Sequence, residues 1–201
     1  MTQTEAGRSR LAGVRYGTIQ RSTDERGSFR ELWRASAFAD TDPADASVAP
    51  EDAGKIRFVQ ANLSTSQRGV LRGLHLHRRQ LDHWVVTSGR ALVALVDVRP
   101  LLADPAATPL VETRELGDDG SVTIPIGVAH GFLALEPLAL AYFVTNAYDG
   151  SDELGFAWDD PRAAVPWPRV EGTTDGRPIL SERDQANPSL SELVERLRTE
   201  A

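Results

Sequence analysis

Short apolar stretches bounded by turn residues recur along the chain, and no strong helical period appears before the C-terminus. This pattern is typical of an all-β protein built as an antiparallel sandwich or barrel. The predicted strands cover residues 57–62, 73–77, 82–87, 91–98, 121–124, 131–135 and 140–145. Ser88 and Gly89 predict a tight hairpin between the third and fourth of these strands.

Outside the strands, the pattern predicts one helix and two segments with little to bury. Four apolar residues at helical spacing predict a short amphipathic C-terminal helix, with Asn187 as its cap and Pro188 in its first turn: Leu190, Leu193, Val194 and Leu197. Residues 39–54 are rich in Asp, Ala and Pro and are expected to form an exposed loop. Residues 1–12 are expected to be disordered. The whole chain, 1–201, is expected to be a single domain.

Composition and charge exclude some classes of function. The net charge of -7 argues against a non-specific nucleic-acid or anionic-membrane surface, although a local arginine cluster can still bind a phosphate. The absence of cysteine excludes disulfides and thiolate chemistry. Without an apolar signal or membrane segment, a cytoplasmic protein is expected. Lys55 is the only lysine among 22 basic residues, so a site that needs a cation must use arginine, Lys55 or a metal.

The four histidines lie in or next to two predicted strand openings. Alternate residues of a strand face the same side, so His75 and His77 are expected to project together. A hairpin after residues 78–81 would bring Asp82 or His83 beside them, and His130 begins another strand. A single histidine is most often a hydrogen-bonded structural residue, but the clustering indicates a functional site.

The spacing of this cluster resembles the metal-binding motifs of cupins. The matching positions are Gly69, His75, His77, Asp82 and Gly89 for the first motif, and Pro125, Gly127 and His130 for part of the second. The resemblance implies a cupin double-stranded β-helix, or jelly roll, that ends in the short helix. One divalent ion such as Fe, Mn, Ni or Zn would suit the set of His75, His77, Asp82 and His130.

A second resemblance covers the chain from about Tyr16 to about Asn187 and is to the dTDP-4-dehydrorhamnose 3,5-epimerase family. Its motifs occur in order at Asp24–Glu31, Phe58–Asn62, Arg68–His75, Val96–Arg99, Ala129–Phe132, Tyr142, Trp158–Pro161 and Leu180–Asp184. The resemblance implies a cofactor-free isomerase that acts on a nucleotide-linked 4-keto-6-deoxyhexose. The C4 ketone acidifies the hydrogens on C3 and C5, so a base on one face and an acid on the other can invert C3, C5 or both through an enolate.

The resemblance also assigns roles to residues. It implies that His75 is the base, Asp184 the carboxylate that orients its ring, and Tyr142 the acid. The implied substrate contacts are Arg26 and Arg72 to the diphosphate, Phe29 and Tyr148 stacked on the base, and Glu31, Gln60, Asn62 and His130 as further binding residues. Structural roles are the alternative for three of them: Arg26 in a turn, Arg72 as a surface charge and Asp184 as a helix cap. A homodimer is implied, in which the N-terminal part adds to the partner's sheet.

Two positions depart from the family pattern. His77 and Asp82 stand where the family usually has Gln and Lys, so a carboxylate replaces a cation beside the developing negative charge. The loss of such a stabiliser costs about 2.7 to 4 kcal/mol in known oxyanion sites. The same two residues complete the metal pattern, and a metal-bound His75 would not be a free base. A metal-free epimerase is therefore the main hypothesis, and a metal-dependent cupin enzyme and a non-catalytic sugar-nucleotide binder are the alternatives.

Overall fold

The computed structural model describes residues 8–38 and 56–200, which form twelve strands and three short α-helices. The strands are β1 Arg15–Thr18, β2 Arg21–Asp24, β3 Gly27–Arg30, β4 Gln60–Ser66, β5 Leu71–Leu76, β6 Asp82–Ser88, β7 Ala91–Asp97, β8 Leu110–Leu116, β9 Gly120–Ile124, β10 Val128–Ala134, β11 Leu138–Val144 and β12 Leu154–Gly155. The helices are α1 Arg99–Ala103, α2 Glu182–Gln185 and α3 Leu190–Thr199. The predicted loop at 39–54 and residues 1–7 lie outside the described residues.

Two five-stranded antiparallel sheets make a sandwich, as the jelly-roll prediction requires. The first sheet has the order β1-β9-β6-β11-β4, and the second has the order β12-β5-β10-β7-β8. Strands β2 and β3 form a separate two-stranded ribbon. None of the helices in the described ranges is long and apolar enough to cross a membrane.

Both faces of the second sheet are covered, which explains why β7 is apolar along most of its length. Val93 and Leu95 belong to the core between the sheets, whereas Ala94 and Val96 pack in a second cluster that includes α3. Leu95 is fully buried, and burying such a side chain contributes about 1.5 to 3 kcal/mol to stability. This packing on both faces fixes the positions of the strand residues that face the interior of the sandwich.

The chain crosses from one sheet to the other at most of its central connections, so both predicted hairpins are wrong. Strand β5 pairs with β10 and β12, whereas β6 pairs with β9 and β11. The Ser88-Gly89 turn carries the chain between sheets, and Gly89 has a φ of 86°. A Cβ atom at Gly89 would overlap the carbonyl oxygen of Pro137. Alternation of polar and apolar residues shows which face is buried but does not identify a strand's partner.

All seven predicted strands are present with shifted ends, and β1, β2, β3, β8 and β12 were not predicted. In α3 the four apolar residues are buried, as predicted. The predicted cap at Asn187 and Pro188 is wrong, because Ser189 caps the helix and exchanges hydrogen bonds with Glu192. The expected N-terminal disorder is wrong at Leu11, which is 3% exposed and packs in the core.

Candidate active site

A cavity of about 440 Å³ lies between the two sheets and contains most of the predicted site residues. This volume is in the range of small-molecule binding sites. The predicted residues in its wall are Gln60, Asn62, Arg72, His75, His77, Asp82, His130, Tyr142 and Tyr148. The cavity is therefore the place where the chemistry expected from the sequence would occur.

His75 on β5 contacts Asp184 on α2. The distance from Nε2 of His75 to Oδ1 of Asp184 is 2.7 Å. Ser181 caps α2 by accepting the backbone N–H of Asp184 at 3.1 Å, so the carboxylate is free to face the ring and is not itself the cap. Since a carboxylate accepts a hydrogen bond, Nε2 carries the proton and Nδ1 is left with a lone pair.

The surroundings of Asp184 keep its carboxylate ionised. Burial alone would raise its pKa, but the hydrogen bond and charge of His75 and the hydrogen bond of Ser181 together lower the pKa of Asp184 below its ordinary value. The carboxylate of Asp184 is therefore negatively charged where it contacts the His75 ring.

Two glycines bring the backbones of β5 and β10 close together beside His75. Gly73 has a φ of 128°, and a Cβ there would lie 2.6 Å from Cα of Gly131 and 2.8 Å from the carbonyl oxygen of His130. The register is irregular here, because Gly73 and Leu74 of β5 together lie opposite Gly131 of β10. His130 and His75 are direct partners across this pair of strands.

Tyr142 approaches the cavity from the other sheet. It lies on β11, between Asn62 of β4 and Trp84 of β6 in the strand register. Burial, followed by the negative charges of Asp82 and Glu153, raises the pKa of Tyr142 above 10. The phenol therefore stays protonated at neutral pH and can donate a proton.

A compact group of three side chains lies deeper in the cavity: His77, Asp82 and His130. One ligand-type atom from each lies within 4.8 Å of the others, and all three residues are buried. His75, which the sequence analysis included in the metal set, is not part of this compact group, and its Nε2 contacts Asp184.

Burial is the main cause of the pKa shifts of Asp82 and His130 in this group. It raises the pKa of Asp82, although the electrostatic interaction with His77 and the hydrogen bond from Gln80 oppose the shift. Burial and the charges of His77 and His75 lower the pKa of His130 well below its ordinary value.

Polar residues at the rim of the cavity are hydrogen-bonded to neighbouring residues. Nε2 of Gln60 donates to Oδ1 of Asn62 at 3.0 Å, and the backbone N–H of Tyr148 donates to Oε1 of Gln60 at 2.9 Å. Arg72 donates to Ser66 Oγ at 3.1 Å and to the carbonyl of Thr65 at 3.2 Å. Tyr148 is 69% exposed, so its ring is open to a ligand.

Three predicted substrate contacts do not line the cavity: Arg26, Phe29 and Glu31. Arg26 lies on the turn of the β2–β3 ribbon and pairs with Asp24. Phe29 is 73% exposed, and Glu31 pairs with Arg34. Within one chain these residues are outside the site.

The sequence analysis missed several residues of the cavity wall. Ser64, Trp84, Phe132, Leu140 and Val144 lie two or four residues from a predicted site residue on the same strand, so strand alternation was the signal that could have found them. Gln80, Glu153 and Arg183 come from outside the strands and gave no such signal. Arg183 forms an ion pair with Glu153 at the cavity wall.

Comparison with known proteins identifies one family across most of the chain. The model of the dTDP-4-dehydrorhamnose 3,5-epimerase family matches residues 8–192. The chain is 34% identical to the dTDP-4-dehydrorhamnose 3,5-epimerase of Escherichia coli over 175 residues, 85% of this chain and 86% of the relative. It is 33% identical to the dTDP-4-dehydrorhamnose 3-epimerase of Streptomyces niveus, over 87% of this chain and 78% of the relative.

The fold is also similar to a solved structure that contains a sugar nucleotide. The 3,5-epimerase of Legionella pneumophila, in complex with dTDP-4-keto-L-rhamnose, superposes with a TM-score of 0.75 and 29% identity. The match covers 94% of this chain and 94% of that one.

Proposed function

Since the chain belongs to the dTDP-4-dehydrorhamnose 3,5-epimerase family and is an epimerase of dTDP-linked 4-keto-6-deoxysugars, we propose that His75 is its base and Tyr142 its acid. The observation that carries this assignment is their position on opposite walls of one cavity. His75 lies on β5 of the second sheet, and Tyr142 lies on β11 of the first. Inversion at carbon requires a proton to leave one face and another to arrive at the opposite face.

In this mechanism Nδ1 of His75 removes a proton from the carbon next to the C4 ketone. Asp184 fixes the tautomer that leaves Nδ1 free, and its negative charge compensates the ring after the proton transfer. Tyr142 then delivers a proton to the other face of the enolate, which its raised pKa permits throughout the neutral range. Neither proton transfer needs a redox cofactor, because the ketone of the substrate supplies the acidity.

The experiment is an incubation of the chain with dTDP-4-keto-6-deoxyglucose in heavy water, followed by NMR. Deuterium is expected at C3, C5 or both, and the labelled positions identify the carbons that are inverted. The His75→Asn variant is the matched control and should incorporate no deuterium while it still binds dTDP. Full incorporation by His75→Asn would contradict the assignment of the base.

We further propose that the enzyme works as a homodimer in which the β2–β3 ribbon of one chain completes the cavity of its partner. The ribbon pairs only with itself among the described strands, and it carries the exposed Phe29 and Arg26 away from the cavity of its own chain. A guanidinium and an exposed aromatic ring are the groups that bind a diphosphate and stack on a nucleotide base. In the cavity wall of the same chain, Arg72 is exposed and Arg183 is paired with Glu153.

Mixed dimers test this proposal. The variants His75→Asn and Arg26→Ala, each nearly inactive alone, are mixed, unfolded and refolded together. If Arg26 acts in the partner's cavity, each mixed dimer has one intact site, and about a quarter of wild-type activity should return. If Arg26 acts within its own chain, no activity returns. Size-exclusion chromatography with light scattering measures the dimer independently.

A further inference from the structure

His77 and His130 both line the cavity, and each has its Nδ1 atom against a backbone carbonyl. Nδ1 of His77 lies 2.7 Å from the carbonyl oxygen of Asp152, and Nδ1 of His130 lies 3.0 Å from the carbonyl oxygen of Val128. A carbonyl oxygen only accepts hydrogen bonds, so both Nδ1 atoms carry protons. The lone pair of each neutral ring is therefore on Nε2.

The backbone partner of His77 is itself held in place. The carboxylate of Asp152 accepts the backbone N–H groups of Arg78 and Arg79 at 2.9 to 3.1 Å. The His77 ring is thus fixed from its outer side, as histidine ligands of metals usually are.

Asp82 faces these two nitrogens without a hydrogen bond to either. Oδ2 of Asp82 is 3.9 Å from Nε2 of His77, which is too long for a hydrogen bond. Gln80 donates to Oδ2 at 3.1 Å, and Trp84 approaches Oδ1 at 3.4 Å, so the carboxylate is also oriented from outside. Two imidazole rings and a carboxyl group that converge in a buried space are a ligand set that a metal ion can fill.

We propose that His77, Asp82 and His130 bind one divalent first-row transition metal ion. Two imidazoles and a carboxylate are ligands of Zn²⁺, Fe²⁺ and Co²⁺, at about 2.0 to 2.2 Å from the ion for zinc. Nε2 of His77 and Oδ2 of Asp82 are 3.9 Å apart, so one ion between them can lie at that distance from both atoms. Ligand atoms bound tetrahedrally at this distance are about 3.4 Å apart, so the side chains of the set, whose ligand atoms lie within 4.8 Å of one another, would move inward by up to about 1.4 Å on binding.

The ion and the base occupy separate positions in this arrangement. His75 keeps its contact with Asp184 and does not bind the ion, so metal binding and proton abstraction do not compete for one side chain. The three ligands leave coordination positions open toward the cavity that His75 and Tyr142 also line. Resting on the proposed function, the ion would place positive charge near the keto oxygen; among the described residues, the cations of the cavity wall are Arg72 and Arg183, and no lysine lines it.

Cobalt titration of the full chain tests the site. The protein is prepared without a polyhistidine tag, treated with a chelator and titrated with Co²⁺, whose visible absorption reports its coordination. The expected result is saturation at about one ion per chain. Elemental analysis after dialysis against Zn²⁺ should give the same stoichiometry, and the melting temperature should rise with Zn²⁺. A wild-type chain that binds neither ion overturns the proposal.

Matched variants locate the ion and separate this proposal from the epimerase assignment. Asp82→Asn and His77→Gln should weaken Co²⁺ binding by more than about tenfold, whereas His83→Gln should bind it normally. His75→Asn should lose epimerase activity and retain the ion. Equal binding by Asp82→Asn, with circular dichroism showing a folded chain, overturns the site. Loss of the ion in His75→Asn overturns the separation of ion and base.

Discussion

His75 and Asp184 are 109 residues apart in the sequence, and their side chains meet at 2.7 Å between Nε2 and Oδ1. The first is fixed by the close pairing of β5 and β10, and the second by the cap of a four-residue helix. His75, the proposed base, therefore has a partner from an element outside the two sheets of the sandwich.

Asp184→Asn should lower kcat by about 10²- to 10⁴-fold. The asparagine amide can donate to Nε2 and would then stabilise the tautomer with its proton on Nδ1, the atom that must accept a proton. Steady-state kinetics measure kcat, and calorimetric titration with dTDP is expected to show unchanged affinity. Wild-type kcat in this variant would show that Asp184 only supports the structure.

Tyr142→Phe should separate proton abstraction from inversion. Without the phenol, the His75 ring can still remove a proton and return a solvent deuteron to the same face. Epimerisation is expected to fall by about 10²- to 10⁴-fold, with deuterium incorporation reduced much less. NMR in heavy water measures both quantities in one sample. If inversion and incorporation fall by the same factor, Tyr142 is not the acid.

Gly73→Ala should weaken both stability and activity. Its φ of 128° and the 2.6 Å approach of a Cβ to Gly131 require β5 to move away from β10. The expected loss is about 1 to 3 kcal/mol in the free energy of unfolding, together with a lower kcat because His75 moves. Gly117→Ala is the control, since nothing lies within 4 Å of a Cβ there. Equal urea midpoints for the two variants would refute the strain argument.

Asp119 should stabilise the β2–β3 ribbon in a pH-dependent way. Hydrogen bonds from Arg21, at 2.7 Å, and Arg30, at 2.9 Å, lower the pKa of Asp119 below its ordinary value. A lowered folded pKa means that the stabilisation is present above the unfolded pKa of about 3.9 and is lost as the pH falls through the folded value.

The variant Asp119→Asn measures this contribution. Asparagine tolerates the φ of 69° found at this position, so the change removes mainly the charge. The variant should be about 1 kcal/mol less stable at pH 7, and this difference should shrink as the pH falls below the unfolded pKa of about 3.9 and through the lower folded pKa. Urea unfolding at the two pH values provides the measurement. A difference that does not change with pH would rule out the ion pairs as its source.

The sequence predicted the strands of the sandwich and the clustering of histidines because both depend on local alternation. It did not predict strand partners, since alternation in β5 and β6 is the same whether they pair with each other or with distant strands. The same limit applies to His75. Strand alternation predicted that His75 and His77 share a face, and both line the cavity, but the contact of His75 with Asp184 on α2 could not be read from local alternation.

The residues of the β2–β3 ribbon mark a different limit. Arg26 and Phe29 follow the family pattern in sequence, yet they lie outside the cavity of their own chain. A role in binding that is completed by a second chain leaves no trace in the hydrophobic pattern of the first.

The position of Asp184 on α2 also sets an order of events during synthesis. A chain that ends before residue 181 contains every strand of both sheets and the side chain of His75, but not the carboxylate that orients it. Such a chain would also lack Arg183 of the cavity wall and the apolar residues of α3 that cover the second sheet. If His75 is the base, full catalytic activity is therefore expected only after α2 and α3 have been synthesised at the end of translation.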